Sequence, residues 1–423
     1  MSPLLGILSS AGLGPGAPTI GTATGGDASA TVTYTAPSYL GKSGSVTYTA
    51  TSSPGSLTGT GSSPITVSGL TNGTAYTFTV RATTSYGAVG PSSAASNSVT
   101  PIQSNFIAVG HFTTPFISVY PWASGFGTKY ADPSTLPTGN GRNVAFTPTG
   151  NAIALAHANS PYVTAYAWSS GFGSKYADPA TLPTGNGLGV TFKPQGDAIA
   201  VAHATSPYVS AYPWSAGFGT KYSNPSTLPT GNGSGVSFTP AGNAIAVSHT
   251  NTPWISAYPW SSGFGTKYAD PAALPSGEGQ SVGFRPGGDA IAVGSSDSPR
   301  IEVYAWSSGF GSKYADPATI PTGSGNGVGW TPSGNALAVA HRNTDFIAVY
   351  PWSSGFGTKY ASPATIPPAD GKSVAFTPTA DAIAVAHETS PRISAYPWSS
   401  GFGTKYANPA TLPTGDGYGV AFI

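Results

Sequence analysis

Gly189-Val190-Thr191-Phe192-Lys193-Pro194-Gln195-Gly196-Asp197-Ala198-Ile199-Ala200-Val201-Ala202-His203 leads, four residues later, into Tyr208-Val209-Ser210-Ala211-Tyr212-Pro213-Trp214. An alternating run ends in a Pro/Gly turn, an unbroken apolar run follows, and a third run ends in aromatics. Short runs of β-branched and aromatic residues between turn clusters read as strands. The same text recurs: Trp122, Trp168, Trp214, Trp260, Trp306, Trp352 and Trp398 stand 46 residues apart. After each comes a small pair, then Gly-Phe-Gly, Thr or Ser, and Lys-Tyr. A fixed period of this length marks an array of repeated supersecondary units, none able to bury its faces alone.

The unit resembles a WD-type repeat. Strand a ends in a Phe-x-Pro-x-Gly-Asp turn, strand b is the apolar run, strand c ends on the aromatics, and strand d is expected at Phe218 to Tyr222. The terminal Trp-Asp dipeptide and the Gly-His before strand a, both usual in such repeats, are missing. The first copy begins at Phe106 in the register of strand b, and the chain ends with Gly419-Val420-Ala421-Phe422-Ile423 in the register of strand a. The piece absent at one end is the surplus at the other. Residues 102–423 are therefore expected to form a seven-bladed β-propeller, closed by the C-terminal strand as the innermost strand of the first blade.

Upstream, residues 1–17 read as a leader with an apolar cluster at Leu4, Leu5, Ile7 and Leu8. Residues 18–101 carry short alternating runs, such as Ala30 to Tyr34 and Tyr76 to Ala82, in the pattern of an antiparallel β-sandwich. Gly69-Leu70-Thr71-Asn72-Gly73-Thr74-Ala75-Tyr76-Thr77-Phe78-Thr79-Val80-Arg81-Ala82 resembles the tyrosine corner and following strand of a fibronectin type III domain. Tyr34 stands where many such domains have tryptophan, and the resemblance implies a spacer. The fold class is all-β throughout. The linker side of the propeller is then the face of the a–b turns, and the b–c and d–a loops point away from it.

Charged residues make up 7% of the chain, against about 25% in ordinary soluble domains. The net charge is +1, with no basic run, which argues against nucleic acid. No apolar stretch approaches the length of a membrane-spanning helix. The absence of cysteine removes disulfides and thiol chemistry. No nucleophile elbow, His-Glu-x-x-His or P-loop motif is present, and Asp132, Asp178, Asp270 and Asp316 recur in an Ala-Asp-Pro turn. Neither a catalytic residue nor a cofactor is expected.

Six histidines occupy one column (His111, His157, His203, His249, His341, His387), with Ser295 in the remaining unit. Strand b lies outside the innermost strand, so equivalent atoms should be about 10 Å apart, too far to share a metal ion. Their parity with Ile199 and Val201 places them between blades.

Against invariant Gly-Phe-Gly and Lys, three columns vary. The residue before strand a is Arg142, Leu188, Ser234, Gln280, Asn326, Lys372 or Tyr418. The b–c turn holds Phe112, Ala158, Ala204, Thr250, Ser296, Arg342 or Glu388. Strand c starts with Phe116, Tyr162, Tyr208, Trp254, Arg300, Phe346 or Arg392. The first column, with Trp254, Arg300 and Arg392, is the expected ligand-binding face.

Leader, fibronectin-like spacer and low-charge propeller together resemble virion proteins of tailed bacteriophages. That resemblance implies a non-enzymatic fibre or decoration protein on the virion. Its leader would dock on other virion proteins, and its propeller would face a host-surface glycan or protein; self-association is a further possible partner mode. A purely structural virion component and a secreted, extracellular adhesin are the alternatives.

Overall fold

The computed structural model describes residues 14–26, 28–41, 45–71, 74–101 and 105–423. Most of the expected leader, and Asn72-Gly73 of the quoted corner, lie outside the described residues. The chain divides into two compact units, Met1–Ser104 and Asn105–Ile423.

In the first unit, strands Thr19–Gly26, Ser29–Thr35 and Ile65–Ser68 form one antiparallel sheet. Thr58–Thr60, Val46–Ser53, Thr77–Thr84 and Val89–Ser92 form the other. Period-2 alternation sends Ala30, Val32, Ile65, Val67, Phe78 and Val80 into one buried core. Tyr76 is buried beside them, and its hydroxyl accepts a hydrogen bond from the Thr71 amide at 3.0 Å. Tyr34 instead packs at the edge, on Tyr48 at 4.7 Å.

The second unit consists of seven antiparallel sheets of three or four strands, the architecture of a β-propeller. Each begins with a strand such as Gly187–Phe192, paired with a fully buried second strand such as Ala198–His203, which pairs with a third such as Val209–Pro213. Burial on both faces explains the unbroken apolar text, and the two faces differ in size. Ile199 and Val201 pack on Ala152, Ala154 and Ala156 of the preceding sheet, while Ala198, Ala200 and Ala202 receive Ile245 and Val247 of the next. In the first sheet, Gly417–Phe422 pairs with Asn105–His111, in the register Val420↔Val109. Ile107 and Val109 lie against Ala382, Ala384 and Ala386 of the last sheet. Each repeat tryptophan is an edge-to-face hub: Trp122 meets Phe126, Tyr406 and Phe422 with centroids 5.1–5.2 Å apart.

The expected fourth strand at Phe218 to Tyr222 is absent; only an isolated bridge, Trp214↔Phe218, forms there. A fourth strand exists in two sheets, at Phe172–Lys175 and Phe310–Lys313. These are the two units with alanine before the tryptophan, Ala167 and Ala305; the other five have proline there. Proline has no N–H to donate. The Pro213 carbonyl accepts the Gly219 amide at 2.8 Å, and the Ala211 carbonyl accepts that of Tyr222 at 2.9 Å, so the segment lies alongside with part of its ladder missing.

The histidine column is buried between sheets. Nε2 of His111, His157, His203, His249 and His387 lies 2.9–3.0 Å from the hydroxyl of Ser118, Thr164, Ser210, Ser256 and Ser394 respectively. Among the described residues no three His, Cys, Asp or Glu side chains lie close enough to share an ion. Where Ser295 replaces histidine, Glu302 replaces the hydroxyl residue. Its buried carboxylate accepts from the Ser295 hydroxyl at 2.7 Å and from the Ser276 hydroxyl and amide at 2.6 and 2.8 Å. Where Ala348 takes the hydroxyl position, Nε2 of His341 has no partner among the described residues.

Three outcomes follow from this packing. Pro213→Ala supplies the missing donor, so the Gly219 and Tyr222 amides should exchange more slowly than in the unaltered chain; unchanged exchange rejects the proline explanation. Ala348→Ser should raise stability by about 1 kcal/mol in denaturant titration, the usual yield of a buried hydrogen bond. Burial dominates the shift that brings the folded-state pKa of His111, His157, His203, His249 and His387 down to about 4. The unfolded chain binds those protons near pH 6.5. Stability is therefore complete above that pH and lost as pH falls toward 4. Between pH 7 and 5 the denaturation midpoint should drop with uptake of more than one proton on unfolding; a flat profile contradicts the assignment.

Candidate functional site: the axial cavity

The site begins as a backbone irregularity. In every sheet the pairing of the first two strands slips once: Gly141 faces His157 but Asn143 faces Ala156, leaving Arg142 unpaired. The same slip occurs between Gly187 and Gly189, Gly233 and Gly235, Gly279 and Ser281, Gly325 and Gly327, Gly371 and Ser373, and Gly417 and Gly419. The variable residues Arg142, Leu188, Ser234, Gln280, Asn326, Lys372 and Tyr418 are thus the bulged residues of seven β-bulges. The sequence placed them before the strand; they lie inside it. A bulge frees one side chain from the ladder and re-aims it. Here all seven side chains line one cavity of about 390 Å³, where the innermost strands converge.

The glycine before each bulge is required by close approach. A Cβ on Gly187 would collide with the Tyr162 carbonyl oxygen, and one on Gly417 with that of Arg392. These carbonyls belong to the third variable column, whose members hold positive φ, as in Trp254 at 64° and Arg300 at 74°. They also accept the amide of the histidine column, His249 to Trp254 at 2.9 Å for example. That column therefore sets the bulge through its backbone. Trp254, Arg300 and Arg392 are not among the residues that line this cavity. Arg300 donates to the Ser296 carbonyl, and Arg392 to the Glu388 carbonyl and the Asp416 carboxylate.

Charge divides the cavity wall. Leu188, Ser234, Gln280 and Asn326 form a neutral sector. The other sector holds Arg142, Lys372, Tyr418 and Arg342, the last from a b–c turn. Lys372 pairs with Glu388 at 2.7 Å, and the Tyr418 hydroxyl donates to the same carboxylate at 3.3 Å. Burial pushes the Glu388 carboxyl up, but its bond and charge interaction with Lys372, with help from Tyr418 and Arg342, outweigh that and hold it below the ordinary range. The Arg142 guanidinium sits 4.2 Å over the Phe112 ring and has no ion pair among the described residues. Burial lowers its pKa. Arg142 Nε and Ser281 Oγ are buried at this wall without a partner among the described residues.

Sequence reasoning passed over Arg342, Glu388 and Phe112 as site residues. Their signal was present: they are the charged and aromatic outliers in a turn column of alanine, serine and threonine. The post-bulge residues Asn143, Ser281 and Ser373, which also line the cavity, gave no signal without the slip.

No family model and no curated relative matches the sequence. Among solved structures, a Bacteroides uniformis protein provisionally assigned as a 6-phosphogluconolactonase superposes with a TM-score of 0.58. It has 16% identity and covers 76% of this chain and 99% of its own. The periplasmic gluconolactonase PpgL of Pseudomonas aeruginosa gives 0.57, 16%, 76% and 99%. The β-propeller domain of Cps50 (Swd1) from Myceliophteria thermophila gives 0.50, 13%, 66% and 90%. At these identities the likeness is one of fold. It corrects the expectation of a non-enzymatic virion component: two of the structures that share this fold over nearly their own whole length carry lactonase names, and none of these three is a fibre protein. Lack of a linear catalytic motif is no argument against an enzyme when the wall of a cavity is assembled one residue per repeat.

Gly187→Ala should cost about 1–3 kcal/mol, as overpacking does, because the added methyl meets a backbone carbonyl. Leu188→Ala, at the bulge itself, should leave stability nearly unchanged. Equal losses in denaturant titration argue against the bulge as the device that frees the side chain.

Proposed function

We propose that the second unit is a small-molecule hydrolase of the lactonase type, acting in the axial cavity on a polyhydroxylated ring. The observation that carries this reading is the division of one cavity wall into a cationic sector and a neutral amide and hydroxyl sector, with the Glu388 carboxylate held behind the cationic one by Lys372 and Tyr418. Opening a lactone puts negative charge first on the carbonyl oxygen and then on the carboxylate product, and oriented cations favour both. Glu388, ionised at neutral pH, accepts a proton from the water that adds to the carbonyl carbon. The ring C–O bond breaks and the leaving oxygen takes that proton back from Glu388, giving the open hydroxy acid and restoring the carboxylate. Lys372 and Arg342 face the developing charge, and Ser234, Gln280 and Asn326 offer hydrogen bonds to ring hydroxyls. The lactonase names of two neighbours of this fold agree with that chemistry.

In the same reading, residues 18–101 are a fibronectin type III-like spacer, supported by the Thr71–Tyr76 hydrogen bond at a strand corner. Residues 102–423 form a seven-bladed propeller closed by the C-terminal strand, supported by the pairing of Val420 with Val109.

The test is hydrolysis of gluconolactone and of 6-phosphogluconolactone by the full chain, corrected for the spontaneous rate. Turnover of at least one is expected, and Glu388→Gln should lower it about a hundredfold, the scale of losing a general base, with an unchanged melting curve. Buffer-level rates with both lactones would sink the proposal.

A further inference from the structure

One side of the cavity is also the seam of the second unit. In six of the seven sheets the first two strands are joined by a short turn, such as residues 147–151 between Gly141–Phe146 and Ala152–His157. In the remaining sheet those two strands are opposite ends of the unit, Gly417–Phe422 and Asn105–His111, held by non-covalent contact alone. The Phe112 amide donates to the Asp416 carbonyl at 3.1 Å, and the Thr414 hydroxyl to the Thr114 carbonyl at 2.7 Å. Above these bonds Phe112 and Tyr418 stack at 3.9 Å with planes 7° apart.

Two cations from the flanking sheets converge on this stack. Arg142, from the next sheet, lies 4.2 Å from the Phe112 centroid and 5.2 Å from that of Tyr418. Lys372, from the preceding sheet, lies 5.4 Å from the Tyr418 centroid. Of the three cations on the cavity wall, Lys372 is matched by Glu388, while Arg142 and Arg342 have no carboxylate in ion-pair range among the described residues. Two positive charges are left facing the cavity. A phosphate monoester carries about −1.5 to −2 at neutral pH, and planar guanidinium groups suit its oxygens. A single carboxylate would leave one charge over.

We propose that a phosphate-class dianion binds at Arg142 beside the Phe112–Tyr418 stack, and that its occupancy clamps the C-terminal strand onto the first strand of the unit. This rests on the axial cavity being a small-molecule site and adds the charge class of the ligand and a mechanical consequence. Opening of the seam separates Tyr418 from Phe112 and dismantles the anchor, so bound ligand must be released first. At a hundredfold excess over Kd, linkage slows such opening about a hundredfold.

Amide hydrogen exchange of the full chain, with and without inorganic phosphate at matched ionic strength, tests this. Amides of residues 106–111 and 418–422 should slow at least tenfold more than those of the six turn-linked strand pairs. Arg142→Gln should abolish the difference. Arg342→Gln, at an exposed side chain outside the stack, should reduce it, which keeps the test valid should the first variant weaken the seam by itself. Calorimetric phosphate binding with uniform protection, or no phosphate binding, overturns the proposal. Lactone turnover with a phosphate-insensitive seam leaves the hydrolase reading standing and removes this one. Seam protection in a chain without turnover does the reverse.

Discussion

Everything in the second unit depends on a size-matched contact between sheets. One face of each second strand carries Ile, Leu and Val, the other mostly Ala, and the large face of one sheet lies on the small face of the last. Close packing tolerates little change in volume, so each unit must repeat nearly the same text as its neighbours. The low charge has the same cause. A sheet buried on two sides leaves only turns and rims for ionisable groups, and most invariant lysines pair locally there, as Lys175 does with Asp178 at 2.5 Å. Even the exceptions obey the volume rule: the His–hydroxyl pair becomes Ser295–Glu302, keeping a buried hydrogen bond in the same space.

Such uniformity would leave no room for a site, and the β-bulge resolves the conflict. By dropping one residue per sheet out of the ladder, between a glycine that must stay small and a residue that returns to register, the fold gains seven positions whose side chains packing does not fix. Arginine, leucine, serine, glutamine, asparagine, lysine and tyrosine occupy them without altering the strands. A repeat fold thereby carries an asymmetric cavity, with its cations on one side and its amides on the other. This arrangement also leaves no linear motif in the chain: each contributor to the cavity is separated from the next by a whole repeat.

The first unit follows a different logic. Its strands alternate cleanly, its core is one cluster between two sheets, and its polar contacts lie at corners and edges, such as the Asn97 side chain on the backbone of Ala23 at 2.8 and 3.0 Å. Nothing in it is repeated, and nothing in it varies around a fixed frame.

The sequence by itself determined the all-β class, the repeat count of seven, the apolar second strand and the place of the C-terminal strand beside the first strand of the array, because these follow from side-chain periodicity and the count of copies. It located the variable columns but could not say which of them faces the cavity. That choice was tertiary. Beside Arg142, the Phe116 carbonyl from another turn takes the place that a Cβ on Gly141 would need, a contact the sequence does not announce. Where the Trp254 and Arg392 side chains point depends on a positive φ at each. The fourth strand is the intermediate case: the difference between Ala167 and Pro213 is written in the chain, yet it acquires meaning only once the direction of that residue's N–H is known. Periodicity reports which side of a strand a residue occupies. Where a strand is interrupted, and what the freed side chain meets, is decided by the strands and carbonyls that other parts of the chain bring beside it.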